Sequence, residues 1–319
     1  MANTAFATGD ALTKKLWEAK LYKEMARSMH LSGCIDRAGN NIIHEKVNLI
    51  KQKGDTITIG LRMRLTSSGQ SSSTTGITLE GNEEALAFYD FSVSLSEYGH
   101  SVRAGSKLDL QRPAFDLRSE MKEALKEWGA EKQEALLCAA MVSSPTANRY
   151  TDQTVTAGNG YLSVADIQLL RRQAKLASPK ISPIMVNGKE KYVLFAHPYA
   201  LKGLKADSDF KSMQLYVEDR GKTNSLITGV IGEVDGVMIV EYDRSALLAS
   251  GSVCRSVLCG RQALALVWGQ YPGWYEKLFD YERIPGVATD MLLGVAKTQF
   301  NDEDFGCFTI DNDYVADSL

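Results

Sequence analysis

The stretch GDTITIGLRMRLT, residues 54–66, alternates apolar and polar side chains along its length. Its apolar positions are Ile57, Ile59, Leu61, Met63 and Leu65. A period of two over this distance predicts a β-strand with one face buried and the other in solvent. A second alternating segment with Phe91, Val93 and Leu95 predicts a partner strand, so residues 54–95 are expected to form a hairpin-like arm.

Between the two limbs of this arm, residues 66–76 are nearly all Ser, Thr, Gly and Gln. Such a segment cannot bury apolar surface, and it predicts a polar loop at the tip. A two-stranded ribbon is barely stable by itself, so its apolar face needs a covering surface. We expect that surface to belong to an adjacent copy of the chain.

Upstream of the arm, residues 12–29 predict an amphipathic helix. Its apolar stripe, at helical spacing, consists of Leu16, Trp17, Leu21, Met25 and Met29. This stripe must be covered either by its own domain or by a neighbouring subunit. Both alternatives stay open from the sequence.

Downstream, residues 116–142 predict a long helix with Asp116 as its N-cap and Pro113 just before it. At about 1.5 Å per residue it would span roughly 40 Å, which is long for a compact domain. The rest of the chain predicts a mixed α+β protein. The further expected elements are a turn-rich boundary at 143–160, a helix at 163–177 capped by Ser163, a hairpin at 181–196, helical character over 199–215, two strands over 230–242 broken at Asp235–Gly236, a short apolar run at 261–268, and strands at 286–297 and 306–310.

The composition is that of an ordinary globular protein: 319 residues, 44% hydrophobic and 24% charged, which suits one large or two medium domains. The formal net charge of −3 argues against tight DNA binding by the protein's own surface. No segment reaches the roughly 18 apolar residues of a membrane helix, and the start does not resemble a signal peptide. We therefore expect a soluble protein made in a reducing cytoplasm, without a membrane partner.

No motif for catalysis, cofactor binding or metal binding is evident in the sequence. The five cysteines are an odd number without ligand spacing, so buried reduced thiols are expected instead of disulfides or a zinc site. The most conspicuous histidine, His197, precedes Pro198 and is interpreted as a structural cap of a turn. The sequence thus predicts a protein that is not an enzyme and has no cofactor.

Charged residues flank the predicted tip of the arm. Arg62 and Arg64 lie on one limb, and Glu80, Glu83 and Glu84 lie near the other. They could pair within one arm, or they could set register and specificity between neighbouring copies. These five residues, together with Trp17 and Leu21, are the candidates for contacts between subunits.

Several segments in order along the chain are similar to one known family. They are GDTITIGLRMRLT (54–66), LEGNEEALAFY (79–89), QRPAFDLRSEMKEAL (111–125) with Trp128, FAHPYALKGL (195–204) and FNDEDFGCFTIDN (300–312). They resemble the N-four-like family of tailed-bacteriophage major capsid proteins, and LEGNEEAL after the GLRM strand is the most specific part.

The resemblance implies the tailed-phage major capsid fold, an α+β architecture. It assigns residues 1–53 to an N-terminal arm and lead-in, 54–92 to an extended loop and 93–145 to a peripheral domain with a long spine helix. Residues 146–274 would form an axial domain, and 275–319 would return to the peripheral domain. Such subunits form the pentamers and hexamers of an icosahedral head around double-stranded DNA.

The resemblance also implies partners: other copies of the chain, a portal protein at one vertex, packaged DNA bound without sequence specificity, and a possible decoration protein. Only about ten residues precede the first predicted helix, so a separate scaffolding protein is expected. Residues 65–90 contain no lysine, and we expect no covalent lysine–asparagine crosslink at the tip. The protein would be part of the virion and would assemble in the host cytoplasm.

Two other classes of function remain as alternatives. The first is another phage structural module, associated with the tail or the portal; deleting residues 66–80 would discriminate it, because only a capsid subunit should then fold without closing shells. The second is an enzyme, which would need a pocket with converging titratable groups.

Overall fold

The computed structural model describes residues 30–50, 54–69, 79–113, 116–155, 160–186, 188–216, 230–249 and 251–314. The predicted helix at 12–29, with Trp17 and Leu21, lies outside these residues, and so does the middle of the polar tip. Helices and strands both occur, and strands follow one another in runs, as is typical of the α+β class.

Five α-helices and four short 3-10 segments occur in the described chain. The α-helices are α1 Lys107–Gln111, α2 Leu117–Val142, α3 Val164–Leu176, α4 Pro198–Ala206 and α5 Ser208–Tyr216. The 3-10 segments are His30–Cys34, Asn48–Ile50, Ala147–Arg149 and Ser245–Leu247.

The strands of the described residues form four sheets. Their bounds are β1 Ile35–Asp36, β2 Ile43–Lys46, β3 Thr56–Arg62, β4 Phe88–Ser94, β5 Ser96–Arg103, β6 Tyr150–Asp152, β7 Ile184–Val186, β8 Lys189–Ala196, β9 Val230–Val234, β10 Val237–Glu241, β11 Leu248–Ala249, β12 Val253–Cys259, β13 Leu264–Phe279, β14 Ile284–Lys297, β15 Gln299–Phe300, β16 Glu303–Asp304 and β17 Cys307–Asp313. The largest sheet has the order β6-β17-β12-β8-β10-β9, with β11 beside β12 and β7 beside β8. A second has the order β1-β2-β13-β14-β5, and β3-β4 and β15-β16 form two-stranded sheets.

The prediction of α2 is confirmed to within one residue at its start, and the prediction of α3 is confirmed together with its cap. The Ser163 hydroxyl accepts the Asp166 amide, and the Asp166 carboxylate accepts the Ser163 amide at 3.0 Å. This reciprocal capping box satisfies two amides that would have no partner within the helix.

The helical character predicted at 199–215 is confirmed, but it is divided between two helices, α4 and α5, which are separated at Asp207. Asp207 has an extended backbone, and its carboxylate accepts the amides of Val164 at 2.9 Å and Asp209 at 3.1 Å. An aspartate that competes for backbone amides in this way favours the start of a helix over its interior.

The chain divides into two compact units, each of which is described by itself. The unit named here the sheet unit comprises the described parts of Met29–Tyr98, Lys132–Tyr271 and Met291–Leu319. Its core lies between the large sheet and helices α3, α4 and α5, with fully buried side chains such as Leu170, Leu194, Leu201 and Leu258. The hairpins predicted at 181–196 and 230–242 are both confirmed in this sheet. Asp235 and Gly236, at φ of 49° and 77°, form the left-handed turn between β9 and β10.

The second unit, named here the hairpin unit, comprises the described residues of Gly99–Glu131 and Pro272–Asp290. Leu117, Met121 and Leu125 of α2 pack there against Val102 and Val287. The apolar run predicted at 261–268 leads into β13 and is buried from Ala263 to Trp268, but the continuation of this strand to Phe279 was not predicted. Pro272 and Gly273 are residues that usually end a strand, yet both lie within β13. This strand pairs with β14 in the sheet. β5 was also not predicted.

Candidate assembly surfaces

The base of the β3–β4 ribbon is covered by its own chain. Cross-strand register places Ile57 opposite Val93 and Ile59 opposite Phe91, so the four side chains share one face. This face packs against Ala265 and Val267 of β13, and Val93 is buried. The expectation that the apolar face of the arm needs an adjacent copy is therefore wrong for the base, because the protein's own core supplies the cover.

The opposite face of the ribbon base is small and polar. The hydroxyls of Thr58 and Ser92 lie 3.0 Å apart, and those of Thr56 and Ser94 lie 3.4 Å apart. Cross-strand hydroxyl pairs of this kind suit a face in contact with water. The ribbon base thus has one apolar face on the core and one solvated face.

Beyond the base, the ribbon loses this cover. We define the distal segment as the described residues 63–69 and 79–88. Four large apolar side chains in this segment, Leu65, Leu79, Leu86 and Phe88, are between 51% and 68% exposed. Apolar side chains grouped at one end of an arm are typical of a surface that contacts another molecule.

Glu84 joins the two limbs of the distal segment. Its carboxylate accepts the Thr66 amide at 2.7 Å, the Thr66 hydroxyl at 2.9 Å and the Ser67 amide at 2.9 Å. The hydrogen bonds from the Thr66 and Ser67 amides lower the pKa of Glu84 below its usual value. Glu84 is one of the five charged residues expected at contacts between copies, but its carboxylate is hydrogen-bonded within its own chain.

The other four charges of the set, Arg62, Arg64, Glu80 and Glu83, are exposed. Among the residues that the structure describes, none of the four takes part in an ion pair. The described arm therefore does not show the ion pairs between its two limbs that the sequence left open. Trp17 and Leu21, the remaining candidates, lie outside the described residues.

A second exposed surface, which the sequence reasoning missed, lies at the end of the β13–β14 hairpin. Trp274, Tyr275, Leu278 and Tyr281 are exposed there. The carboxylate of Glu276 on this hairpin forms ion pairs with Lys122, at 2.8 Å, and with Arg118. It also accepts a hydrogen bond from the Trp274 indole at 3.1 Å. These donors, Lys122 first, lower the pKa of Glu276 to about 2. The aromatic density of YPGWYEKLFDY, residues 271–281, was the available signal.

The histidine and cysteines behave as structural groups. His197 is the N-cap of α4, where its Nδ1 accepts the Tyr199 amide at 3.2 Å and Pro198 follows at the first helical position, so the interpretation as a cap is confirmed. Burial lowers the pKa of His197. All five cysteines are free thiols, and four of them are buried. In the described ranges, no three His, Cys, Asp or Glu side chains are grouped to hold a metal ion, and no helix is long and apolar enough to cross a membrane.

Sequence similarity identifies the family of the chain. The sequence model of the phage capsid protein family matches residues 5–161 and 146–316, which together cover nearly all of the chain. The chain belongs to the phage capsid protein family. It is therefore a structural subunit of a bacteriophage head.

Relatives of this capsid subunit extend over its full length. It is 27% identical to the major capsid protein of Pseudomonas phage KPP25, across 98% of this chain and 97% of that one. Its fold is similar to the capsid of Ralstonia phage GP4, with a TM-score of 0.82 and 23% identity over 100% of both chains. The capsid of cyanophage Pam1 gives the same TM-score and identity over 99% of this chain and 100% of the other. The capsid subunit thus has the tailed-phage capsid fold that the resemblance implies.

Proposed function

We propose that this capsid subunit is the major capsid protein of a tailed phage, and that its copies form pentamers and hexamers closing into an icosahedral shell around double-stranded DNA. The full-length similarity to the major capsid protein of phage KPP25 supports this role. The observation that carries the proposal is the distal segment, which is apolar, exposed and held in shape by Glu84. We infer no enzymatic activity for it.

Within the shell, the distal segment would lie on the next subunit. This contact would bury the four exposed apolar side chains Leu65, Leu79, Leu86 and Phe88. Complete burial of one such side chain contributes about 1.5–3 kcal/mol to the free energy of association. The base of the ribbon stays on its own core and fixes the direction in which the distal segment projects. A rigid projection loses little conformational entropy when it docks.

The four exposed charges of the arm would then select the register of this contact. Arg62 and Arg64 would face acidic groups of the neighbour, and Glu80 and Glu83 would face basic ones. Exposed ion pairs contribute little stability individually, so their role would be orientation and rejection of wrong contacts.

The division of the chain follows the resemblance. Residues 1–53 would be the N-terminal arm, 54–92 the extended loop, 93–145 and 275–319 the peripheral domain, and 146–274 the axial domain. Trp17 and Leu21 of the N-terminal arm would contact a neighbouring subunit.

The remaining partners follow from the role. We propose a separate scaffolding protein during assembly in the host cytoplasm, a portal protein at one vertex, and packaged DNA that is not bound sequence-specifically, given the net charge of −3. A decoration protein could bind outside. Because residues 65–90 lack lysine, mature particles should run as single chains on denaturing gels, and a covalent ladder would contradict this.

The experiment is to image the purified chain by negative stain beside a variant that lacks residues 66–80. The full chain should form closed shells or capsomers. The deletion should leave the circular dichroism and thermal unfolding of the subunit nearly unchanged, because the ribbon base and the cores lie elsewhere. Closed shells from the deletion variant would refute the role of the distal segment.

A further inference from the structure

The tip of the β13–β14 hairpin has an unusual backbone. Its residues Asp280, Tyr281 and Glu282 have φ values of 51°, 52° and 62°, so three consecutive residues other than glycine are left-handed. L-amino acids are disfavoured in this region, where Cβ crowds the backbone. The Arg283 amide donates to the Phe279 carbonyl at 3.1 Å, and Arg283 also pairs with Asp280, which closes the turn. Strain of this kind persists where the surrounding structure enforces it, and it concentrates at functional sites.

This backbone directs one aromatic side chain into solvent. Tyr281 is 97% exposed, more than any other large apolar or aromatic side chain of the described chain. Tyrosine is among the residues that contribute most to protein interfaces, since its ring is rigid and its hydroxyl can donate and accept. A strained turn that leaves such a ring uncovered stabilises nothing in the isolated subunit.

Beside the tip, the same hairpin unit has an open cleft of about 300 Å³. It is lined by side chains that include Arg103, Tyr275, Lys277, Phe279 and Ala288. Arg103 and Lys277 lie 5.2 Å and 5.3 Å from the centre of the Phe279 ring, one cation–π contact each. Glu276 also lines the cleft, but its carboxylate is already paired with Arg118 and Lys122. The cleft therefore combines an aromatic wall with two cations, Arg103 and Lys277, for which the described part of the chain shows no ion pair.

A glycine makes this cleft possible. A Cβ at Gly286 would stand 2.6 Å from a carbon of the Phe279 ring, closer than any real contact. Glycine at this position lets the ring lie against the strand, so the wall is flat and the cleft stays open.

We propose that Tyr281 of one copy inserts into this cleft of a second copy, and this inference rests on the proposed assembly into a shell. The cleft has room for one aromatic ring, and its cations complement the acidic Glu282 that follows Tyr281. Asp280, on the other side of Tyr281, is paired with Arg283 of its own chain. Glu282 pairs with Lys277 of the receiving copy. Each copy offers one tip and one cleft, so the contact can repeat from copy to copy, and in a closed shell it would repeat around a symmetry axis.

The first test places cysteines at the proposed ion pair and leaves Tyr281 in place. Shells of the Glu282→Cys, Lys277→Cys double variant should give disulfide-linked multimers of the chain on non-reducing gels after mild oxidation. An equal mixture of the two single variants should give only two-chain bands, since each chain then carries one reacting position. Each single variant alone should give neither, because the native thiols are mostly buried.

The second test exchanges the charges of the proposed ion pair and does not require the cysteine variants to assemble. Lys277→Glu and Glu282→Lys should each raise the subunit concentration needed for assembly roughly tenfold, and the double exchange should restore it. Shells that form normally from both single variants, or that show no link in the cysteine variant, would overturn the inserted tip. If the unmodified chain formed neither capsomers nor shells, the proposed function would be overturned as well, so the two failures are distinguishable.

Discussion

Lys297 and Asp304 form an ion pair of 2.8 Å although their side chains are only 3% and 0% exposed. The Lys297 ammonium also donates to the carbonyls of Ser143 at 2.9 Å and Ser144 at 3.2 Å, just after α2 ends. The Asp304 carboxylate accepts the Gln299 amide at 2.8 Å and the Thr146 backbone amide at 3.3 Å. This buried network attaches the segment after the long helix to β14 through Lys297 and to β16 through Asp304.

Removing one partner of this pair should be costly. Lys297→Met or Asp304→Asn leaves the other group buried with its main partner lost, and the free energy of unfolding should fall by about 3–5 kcal/mol. The exposed pair Lys175–Glu190, at 3.7 Å, supplies the matched control, and Lys175→Met should cost less than about 1 kcal/mol. Chemical denaturation of the isolated subunit measures both, and similar losses would show that the burial of Lys297 has no energetic weight.

Leu86→Ser should weaken assembly without weakening the subunit. Leu86 is half exposed in the distal segment, so its replacement removes burial that occurs only in the shell. We expect the concentration needed for assembly, measured by light scattering, to rise about tenfold. Leu176→Ser on α3 is the control, because Leu176 is 81% exposed but lies away from the distal segment. Equal effects of the two changes would argue for a general loss of surface hydrophobicity instead.

Reversing Arg62 and Arg64 to Glu should impair shell assembly more than subunit folding. Both residues are exposed, and neither forms an ion pair with the described residues, so folding of the subunit should be little affected. The defect should shrink as salt is raised, since screening weakens repulsion between exposed charges. Arg172→Glu, an exposed arginine of α3, is the matched control. Normal assembly of the double reversal at ordinary salt would exclude the role in contact between copies.

Glu84→Ala should loosen the distal segment. Its carboxylate holds the amides of Thr66 and Ser67, which should exchange with deuterium faster in the variant, whereas Glu83→Ala should leave them unchanged. Because the folded pKa of Glu84 is lowered, its contribution is complete above the usual pKa of a glutamate and is lost as the pH falls through the lowered value. If the two amides stayed protected at that low pH, the ionised carboxylate of Glu84 would not be what protects them.

Replacing His197 by Ala should lower the free energy of unfolding by about 0.5–2 kcal/mol, while Asn should retain most of the cap. Burial lowers the folded pKa of His197, so its stabilisation is present above the unfolded value near 6.5 and is lost as the pH falls through the folded value. Protonation of Nδ1 also removes the acceptor of the Tyr199 amide. A pH series of thermal unfolding should therefore show a steeper acid loss for the native chain than for His197→Asn.

Part of the assembly surface could be predicted from the sequence. The alternation at 56–62 and 88–94 identified both limbs of the ribbon. The charges at Arg62, Arg64, Glu80 and Glu83 are exposed, and their role in contacts between copies stays a prediction. The engagement of Glu84 with Thr66 and Ser67 could not be predicted, because it depends on how two limbs 17 and 18 residues apart meet at the tip. The aromatic tip at Tyr281 was missed because Pro272 and Gly273 indicate a break where the structure has a continuous strand.

The sequence by itself determined those features that neighbouring residues encode: the period of two in the ribbon, the caps at Ser163 and His197, the Asp235–Gly236 turn and the extent of α2. Each follows from backbone preference or from a hydrogen bond that spans a few residues. Only the tertiary structure decided burial between distant segments. It covered Val93 with Ala265 and Val267, enclosed Lys297 with Asp304 and left Tyr281 uncovered. Burial depends on which remote strands and helices pack together, and local periodicity carries no record of those partners.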